Sequence, residues 1–564
     1  MADITTLLAN GSSSQRIDIA FVAEGYQAAE RSQFLADAAR FLEYMLGAGN
    51  AKLNSPFSTY ADYFNASALF VASQQSGTDQ PNAGLYVNTY FNASQYGSDG
   101  RLMYGDSDRV ASLVAQALPG DAHEMTVVLV NSQTYAGSGG PVVWASAGNL
   151  QSAEILLHEI GHSYASLEDE YADSALVASY PLGTLDSVHL STSATSVPWS
   201  AWLGYTDTLG TVAAYQGGYY RSSGVWRATP DSKMFHLGVA FSAPEKEAFV
   251  LAYYKTIGDY LSLGATVPGL YHAQTPDDSR LAFGWSVNGG ASSSADRAWF
   301  DAVSLGVYGT GVRIGVTTVD NTGLVRSGLA QTQQSETLTI GAAAPASSPA
   351  ASSALLASSG AFYQFDAGNN LIYSGGATGC YIDGGGGVDT VALNARSTDF
   401  SLQKLSTGTL VFAAQDVAVF ALRQVERVQF TDRKLAFDLD GAAGATVKLL
   451  GAMFGADYVR PTYVSAGLGL FDGGRSLAQV AELVLASTEF QQLAGGRSDA
   501  SVVQALYTHV VGHAPSSSEF NLYTGLLRGG AYTQASLSVM AAETALNQGN
   551  VNLVGLSATG VEFW

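Results

Sequence analysis

Residues 158–171 read HEIGHSYASLEDEY. His158 and His162 are four apart, so on a helix they share one face and both rings can aim a nitrogen at one point. Zinc takes imidazole nitrogen at about 2.0–2.1 Å, and its catalytic sites use three protein ligands and a water. Glu159 lies one residue round from His158, where a carboxylate reaches a metal-bound water rather than the metal. The spacing therefore points to metal-assisted hydrolysis, with His158 and His162 as ligands and Glu159 as general base. A third ligand is still needed, and LEDEY supplies three carboxylates just downstream. A turn near Ala165–Ser166 would fold either Glu168 or Asp169 back to the pair. The competing reading is a solvated helix with two surface histidines.

What has to position these residues is an alternation of strands and helices. RIDIAFV (16–22) alternates like a half-buried strand, and Phe34, Leu35, Ala38, Phe41, Leu42 and Met45 mark one face of a helix. Strands are predicted at 65–72, 125–131 and 141–147, and a helix over 108–118, with a flexible GSGG at 137–140. Ser242 and Glu245 have capping-box spacing, with Pro244 in the first turn of a helix expected to run to about Leu263. These elements make a first domain over 1–265. Short strands with glycine turns predict a small β-sandwich over 266–340. An uncharged Ala/Ser/Pro-rich linker follows at 341–360, then a β-rich region over 361–440. A helical domain covers 441–564, in which 449–474 is echoed by 506–530 as helix, loop, helix and Gly-Gly.

The stretch 158–171 resembles the signature of the IgA-peptidase type of zinc metallopeptidase. The resemblance extends to RIDIAFVAEGYQAAERSQFLADAARF, YADYFNASALFVASQQSGTDQP, VLVNSQTYAGSGG and GGYYRSSGVWRATPDSKM. It implies an α/β zincin-like catalytic domain of metzincin type, with His158 and His162 as zinc ligands and Glu159 as the base. The aspartate of the family's DEY falls on Asp169, which makes Asp169 the implied third ligand ahead of Glu168. Met234 becomes the methionine packed beneath the metal. Two positions depart from the pattern: Ser166 replaces the usual glycine of the turn, and Glu168 a small residue. In zincin-type enzymes an edge strand aligns the substrate peptide, a role that PVVWASA (141–147) behind GSGG would fill. Tyr171, Tyr219 and Tyr220 are candidate phenol donors to the oxyanion.

In the C-terminal half, DGGGGVDTV (383–391) fits one copy of the calcium-binding repeat G-G-x-G-x-D-x-U-x, with Asp383, Gly385, Gly387 and Asp389 as candidate calcium residues. The surrounding run resembles the RTX-like ends of type I secreted bacterial proteins, and the helices after it a domain of unknown function found in the same company. The expectation is a secreted, extracellular zinc endopeptidase of a Gram-negative bacterium, possessing a C-terminal secretion signal. It would be exported by type I secretion machinery without an N-terminal signal peptide, and would act on protein or peptide substrates. The alternative is a surface or matrix binding protein with a degenerate peptidase domain, and the C-terminal region could hold a cell-surface or matrix partner in either case.

Composition agrees with that frame. The 564 residues are 47% hydrophobic and 13% charged, which is globular, and the net charge of −22 disfavours nucleic acid and anionic lipid. No stretch approaches the roughly 20 apolar residues of a membrane span. Cys380 is the one cysteine, so neither an intrachain disulfide nor a cysteine-based zinc site can form.

Overall fold

The computed structural model describes residues 2–118, 120, 122–292, 296–307, 311–340, 346–347, 353–414 and 417–564. Half of the linker read at 341–360, namely 341–345 and 348–352, lies outside them. The chain forms two compact units. The first comprises Met1–Ser262, Ala273–Gly284 and Gly315–Thr337, and the second Leu263–His272, Trp285–Ile314 and Leu338–Trp564. The segment 266–340 is thus shared between them. Among the described residues no helix is long and apolar enough to cross a membrane.

The first unit is an α/β sheet domain. Its strands are β1 (Asp3–Leu8), β2 (Ile17–Glu24), β3 (Phe64–Phe70), β4 (Ser94–Tyr96), β5 (Leu102–Tyr104), β6 (Met125–Val130), β7 (Gly137–Ser138) and β8 (Val143–Ser146). They lie in the order β1-β3-β2-β6-β8-β7-β5-β4. The central β3, β2, β6 and β8 run parallel, and β2 is buried along its whole length, as a strand covered on both faces requires. Helix α1 (Arg31–Leu46) turns Phe34, Ala38, Phe41, Leu42 and Met45 inward, matching the predicted face. Helix α2 (Ser107–Ala117) covers the other face through Val110 and Val114, which pack with Val22, Val128 and Trp144.

Helix α3 (Ser152–Ala165) follows β8 directly and packs against β7, β8, α1 and α4 (Ala243–Ile257). Helix α4 stops at Ile257 rather than near Leu263, because Gly258 takes a positive φ of 55° and a strand begins at Ser262. The strand read as a substrate-binding edge is not an edge. The two-residue β7 pairs with β8 on the side away from β6, so β8 is interior and fully buried.

The second unit holds β-rich regions followed by helices. Between 353 and 392 successive short strands alternate between two sheets, each pairing in parallel with the strand after next, and an antiparallel run over 401–423 then extends one of the sheets. Phe362–Gln364 joins Cys380–Asp383 in one sheet, and Leu371–Tyr373 joins Thr390–Ala392 in the other. Ile372, Ile382, Val391, Phe420, Leu422 and Val428 fill the space between the sheets. Cys380 is buried there with its thiol free. Then come α5 (Ala442–Phe454), α6 (Pro461–Asp472), α7 (Leu477–Ala486), α8 (Thr488–Ala494), α9 (Asp499–Val511) and α10 (Ser517–Arg528), so that both sequence echoes are helix-loop-helix pairs.

Candidate metal centre

Helix α3 owes its placement to Ile155, Leu156, Leu157 and Ile160, all buried, which leaves His158, Glu159 and His162 half-buried on the remaining arc. It ends at Ser166, which adopts left-handed φ 53°, ψ 39°, while the Leu167 N–H returns to the Gly161 carbonyl at 3.0 Å. Serine occupies this conformation at a cost of about 1 kcal/mol relative to glycine, and the turn forms regardless. Seven residues beyond His162, it brings back Asp169. The Glu168 side chain is not part of the resulting group.

His158 Nε2 lies 3.1 Å and His162 Nε2 3.4 Å from Asp169 Oδ1, and the two nitrogens are 3.2 Å apart. The far nitrogens decide what these atoms are. His158 Nδ1 faces the Lys233 carbonyl at 3.0 Å, and His162 Nδ1 the Leu167 carbonyl at 2.7 Å. A carbonyl only accepts, so each neutral ring carries its hydrogen on Nδ1 and presents a bare lone pair at Nε2. Two lone pairs and a carboxylate oxygen then meet with no proton between them, and the buried Asp169 Oδ1 has no hydrogen-bond partner. Ligand atoms about 2.0–2.1 Å from a tetrahedral metal stand about 3.3–3.4 Å apart, so the donor set fits a zinc ion. Protonation is the other way to relieve the contact. Burial opposes it, but the Asp169 carboxylate lifts the His162 ring to about 9, and both rings hold Asp169 far below the usual carboxylate range.

Glu159 stands outside this triangle. Burial raises its carboxyl, the histidines oppose that, and the Gly139 N–H donates to it. A methyl group at 139 would sit 3.1 Å from both the Glu159 carbonyl and Oε2, so the glycine loop lies against the base because residue 139 has no side chain. Of the tyrosines, Tyr220 donates to Asp169 Oδ2 at 2.6 Å. Tyr219 turns its phenol to Thr184 Oγ1 at 3.1 Å and gives its backbone N–H to the Asp169 carbonyl. Both hold strained positive φ, 51° and 63°. The half-buried Tyr171 phenol is pushed up by burial and by the charges of Asp169 and Glu159. Met234 is wholly buried with its sulfur against α3, where a methyl at Gly161 would come within 2.9 Å of it.

Two further sets of residues went unread in the sequence. The fully buried Lys233 pairs with Glu154, which also accepts from Tyr44 and the Gly238 N–H. Glu154 precedes His158 by one helical turn, an acid among apolar residues, and that was its only signal. The second set is Glu170, His189 and Glu245, all fully buried. The Glu168 N–H donates to His189 Nε2 at 2.9 Å, so the ring hydrogen is on Nδ1, which faces Glu170 Oε1 at 3.1 Å and Glu245 Oε1 at 3.4 Å. A metal would need that Nδ1 lone pair and would leave Nε2–H against the amide, so this trio is built for protons. Ser232 Oγ lies 2.8 Å from an oxygen of each glutamate and has one hydrogen to give. One carboxyl therefore keeps its own proton, and burial with the Glu245 charge pushes Glu170 up to about 7. No motif joins residues so far apart in the chain.

In the second unit Asp383 ends a strand, with its carboxylate taken by Arg423 Nη1 at 2.5 Å and by the Gly385 N–H at 3.3 Å. Gly385 and Gly387 hold φ of 86° and 104°, and carbonyl oxygens of Phe365, Asp366 and Gly368 crowd the space their side chains would fill. Asp389 is fully buried. Its Oδ1 accepts from the Asn370 N–H at 2.8 Å, and its Oδ2 has no hydrogen-bond partner. Burial, with Glu426, Asp366 and Asp383 nearby, pushes Asp389 up to about 7.

The family model described as IgA Peptidase M64 matches residues 5–211, and that described as Domain of unknown function (DUF4214) matches residues 481–550. No curated protein matches the chain. Met234, Tyr219 and Tyr220 lie beyond the first match, whereas His158, Glu159, His162 and Asp169 fall inside it. The match over residues 5–211 supports the peptidase family for the part of the chain that carries these four residues, and suggests a metallopeptidase.

Proposed function

We propose that His158, His162 and Asp169 hold a catalytic zinc, and that the chain is a zinc-dependent endopeptidase of metzincin type acting on extracellular proteins. One observation carries this reading: three acceptor atoms converge at 3.1–3.4 Å while both ring hydrogens are committed elsewhere. Bound there, zinc would bring the pKa of a water ligand toward neutrality and polarise a peptide carbonyl. With the metal in place Glu159 would serve as the base that accepts a proton from water and returns it to the leaving amine, its carboxylate held by the Gly139 N–H. Tyr220 fixes Asp169, and Tyr171, whose phenol also reaches Asp169 beside Glu159, is the phenol we assign to the oxyanion. Elemental mass spectrometry should find about one zinc per chain in the wild type and none in His162→Ala. Glu159→Ala should keep the metal and lose about 10²–10⁴-fold in peptide hydrolysis. A wild type without zinc after refolding with the metal supplied would sink the reading.

A calcium ion at the Asp389 cradle is the second part of the proposal, supported by the unpartnered Oδ2 and by the carbonyls around Gly385 and Gly387. Millimolar calcium should raise the melting temperature of the wild type and leave Asp389→Asn unmoved. Export by type I machinery rests on the RTX-like region 361–440 and its parallel strands. Co-expression with a type I exporter should bring the protein into the medium, and retention in the cell would count against it.

A further inference from the structure

Asp169 lies in a segment, 166–170, without regular secondary structure. Fixing such a residue costs about 1–2 kcal/mol of backbone entropy, so something must hold its carboxylate at the histidine pair. The bonds that do so converge on one place. On one side of Asp169 the Glu168 N–H donates to His189 Nε2 at 2.9 Å. On the other, the Glu170 N–H donates to the Met234 carbonyl at 2.9 Å, and the Glu170 carboxyl meets His189 and Ser232. Ser232 Oγ accepts from the Met234 N–H at 3.2 Å. Glu245, in the first turn of α4, takes the Ser242 N–H on its other oxygen at 2.6 Å. His189 in turn precedes the strand Leu190–Ser191, which pairs with Arg221–Arg227. Four separate segments therefore meet in one wholly buried knot that grips the residue before and the residue after Asp169.

We propose that Glu170, His189, Ser232 and Glu245 are positioning residues for the metal centre. Through Glu168 and Glu170 they set where the Asp169 carboxylate stands, and so the affinity and geometry of the metal site. This rests on the zinc reading above. His189 is the key member because only a group that accepts on one side and donates on the other fits between an amide N–H and a carboxyl. Glutamine offers the same pair through its amide; leucine offers neither.

The test is binding of cobalt and zinc to the full chain, with the visible absorption of the cobalt form reporting coordination. His189→Leu should bind zinc about 10–100-fold more weakly, with an altered cobalt spectrum, and His189→Gln should restore most of both. Ser232→Ala, a small change that spares the ring, should weaken zinc about tenfold and serves if the leucine variant does not fold. Unchanged affinity and spectrum in His189→Leu or Ser232→Ala would overturn the positioning role, as would equal impairment of the leucine and glutamine variants. A wild type that binds neither metal would overturn the zinc reading itself, and this role with it.

Discussion

Among its described residues the first unit contains two three-residue clusters of almost inverted composition. One has two histidines and a carboxylate, the other one histidine and two carboxylates, and a single residue step separates Asp169 from Glu170. Both bring imidazole nitrogen within 3.1 Å of carboxylate oxygen. What separates them is the partner on the far side of each ring. Carbonyl oxygens behind His158 and His162 draw the hydrogens away from the cluster and leave it short of positive charge. The amide behind His189 forces the hydrogen into the cluster and satisfies it. Residue type and distance alone do not distinguish a metal site from a proton-filled knot, whereas the second nitrogen does.

Lys233 is where the comparison can be broken most severely. It sits between Ser232 of one cluster and Met234 under the other, and its carbonyl holds His158. Lys233→Met leaves Glu154 buried without its cation and should cost about 3–5 kcal/mol by denaturant unfolding. Zinc content should fall as well, because loss of the buried Lys233–Glu154 anchor frees the backbone that carries the carbonyl on His158. Tyr220→Phe touches the metal cluster alone. It removes a hydrogen bond to a charged carboxylate, and should weaken zinc about 10–100-fold in a chelator competition while lowering the melting temperature of the zinc-free protein by less than Lys233→Met does. Gly139→Ala is the mildest. Its methyl presses on Glu159 and comes within 3.3 Å of His162 Cβ, so kcat should fall roughly tenfold with a smaller loss of zinc affinity than in Tyr220→Phe, given that about 1 Å of misplacement costs 10²-fold.

The helical spacing of His158, Glu159 and His162 was legible because it is local: four residues make a turn wherever the helix lies. The turn at Ser166 was legible for the same reason, as was the buried face of α1. The proton-filled cluster was not, because residues 170, 189, 232 and 245 become neighbours only when strand, loop and helix are packed. β8 was read as an edge from the resemblance to zincin-type enzymes, and the strand that covers it, Gly137–Ser138, gave no warning because it is two residues long and carries no periodicity. Asp389 stood out in the glycine run, but the engagement of Asp383 by Arg423 depends on a strand forty residues further along.

Gly161 and Met234 carry one more consequence, in the language of oxidation. A methionine sulfur exposed to peroxide gains a bulky, polar oxygen. Here the thioether is shut away from solvent, and α3 already passes too close to admit even a methyl at position 161. An oxygen on Met234 could be seated only by pushing away the helix that carries both histidines. Oxidative damage at this residue would therefore show first as loss of the proposed metal, before any wider loss of structure.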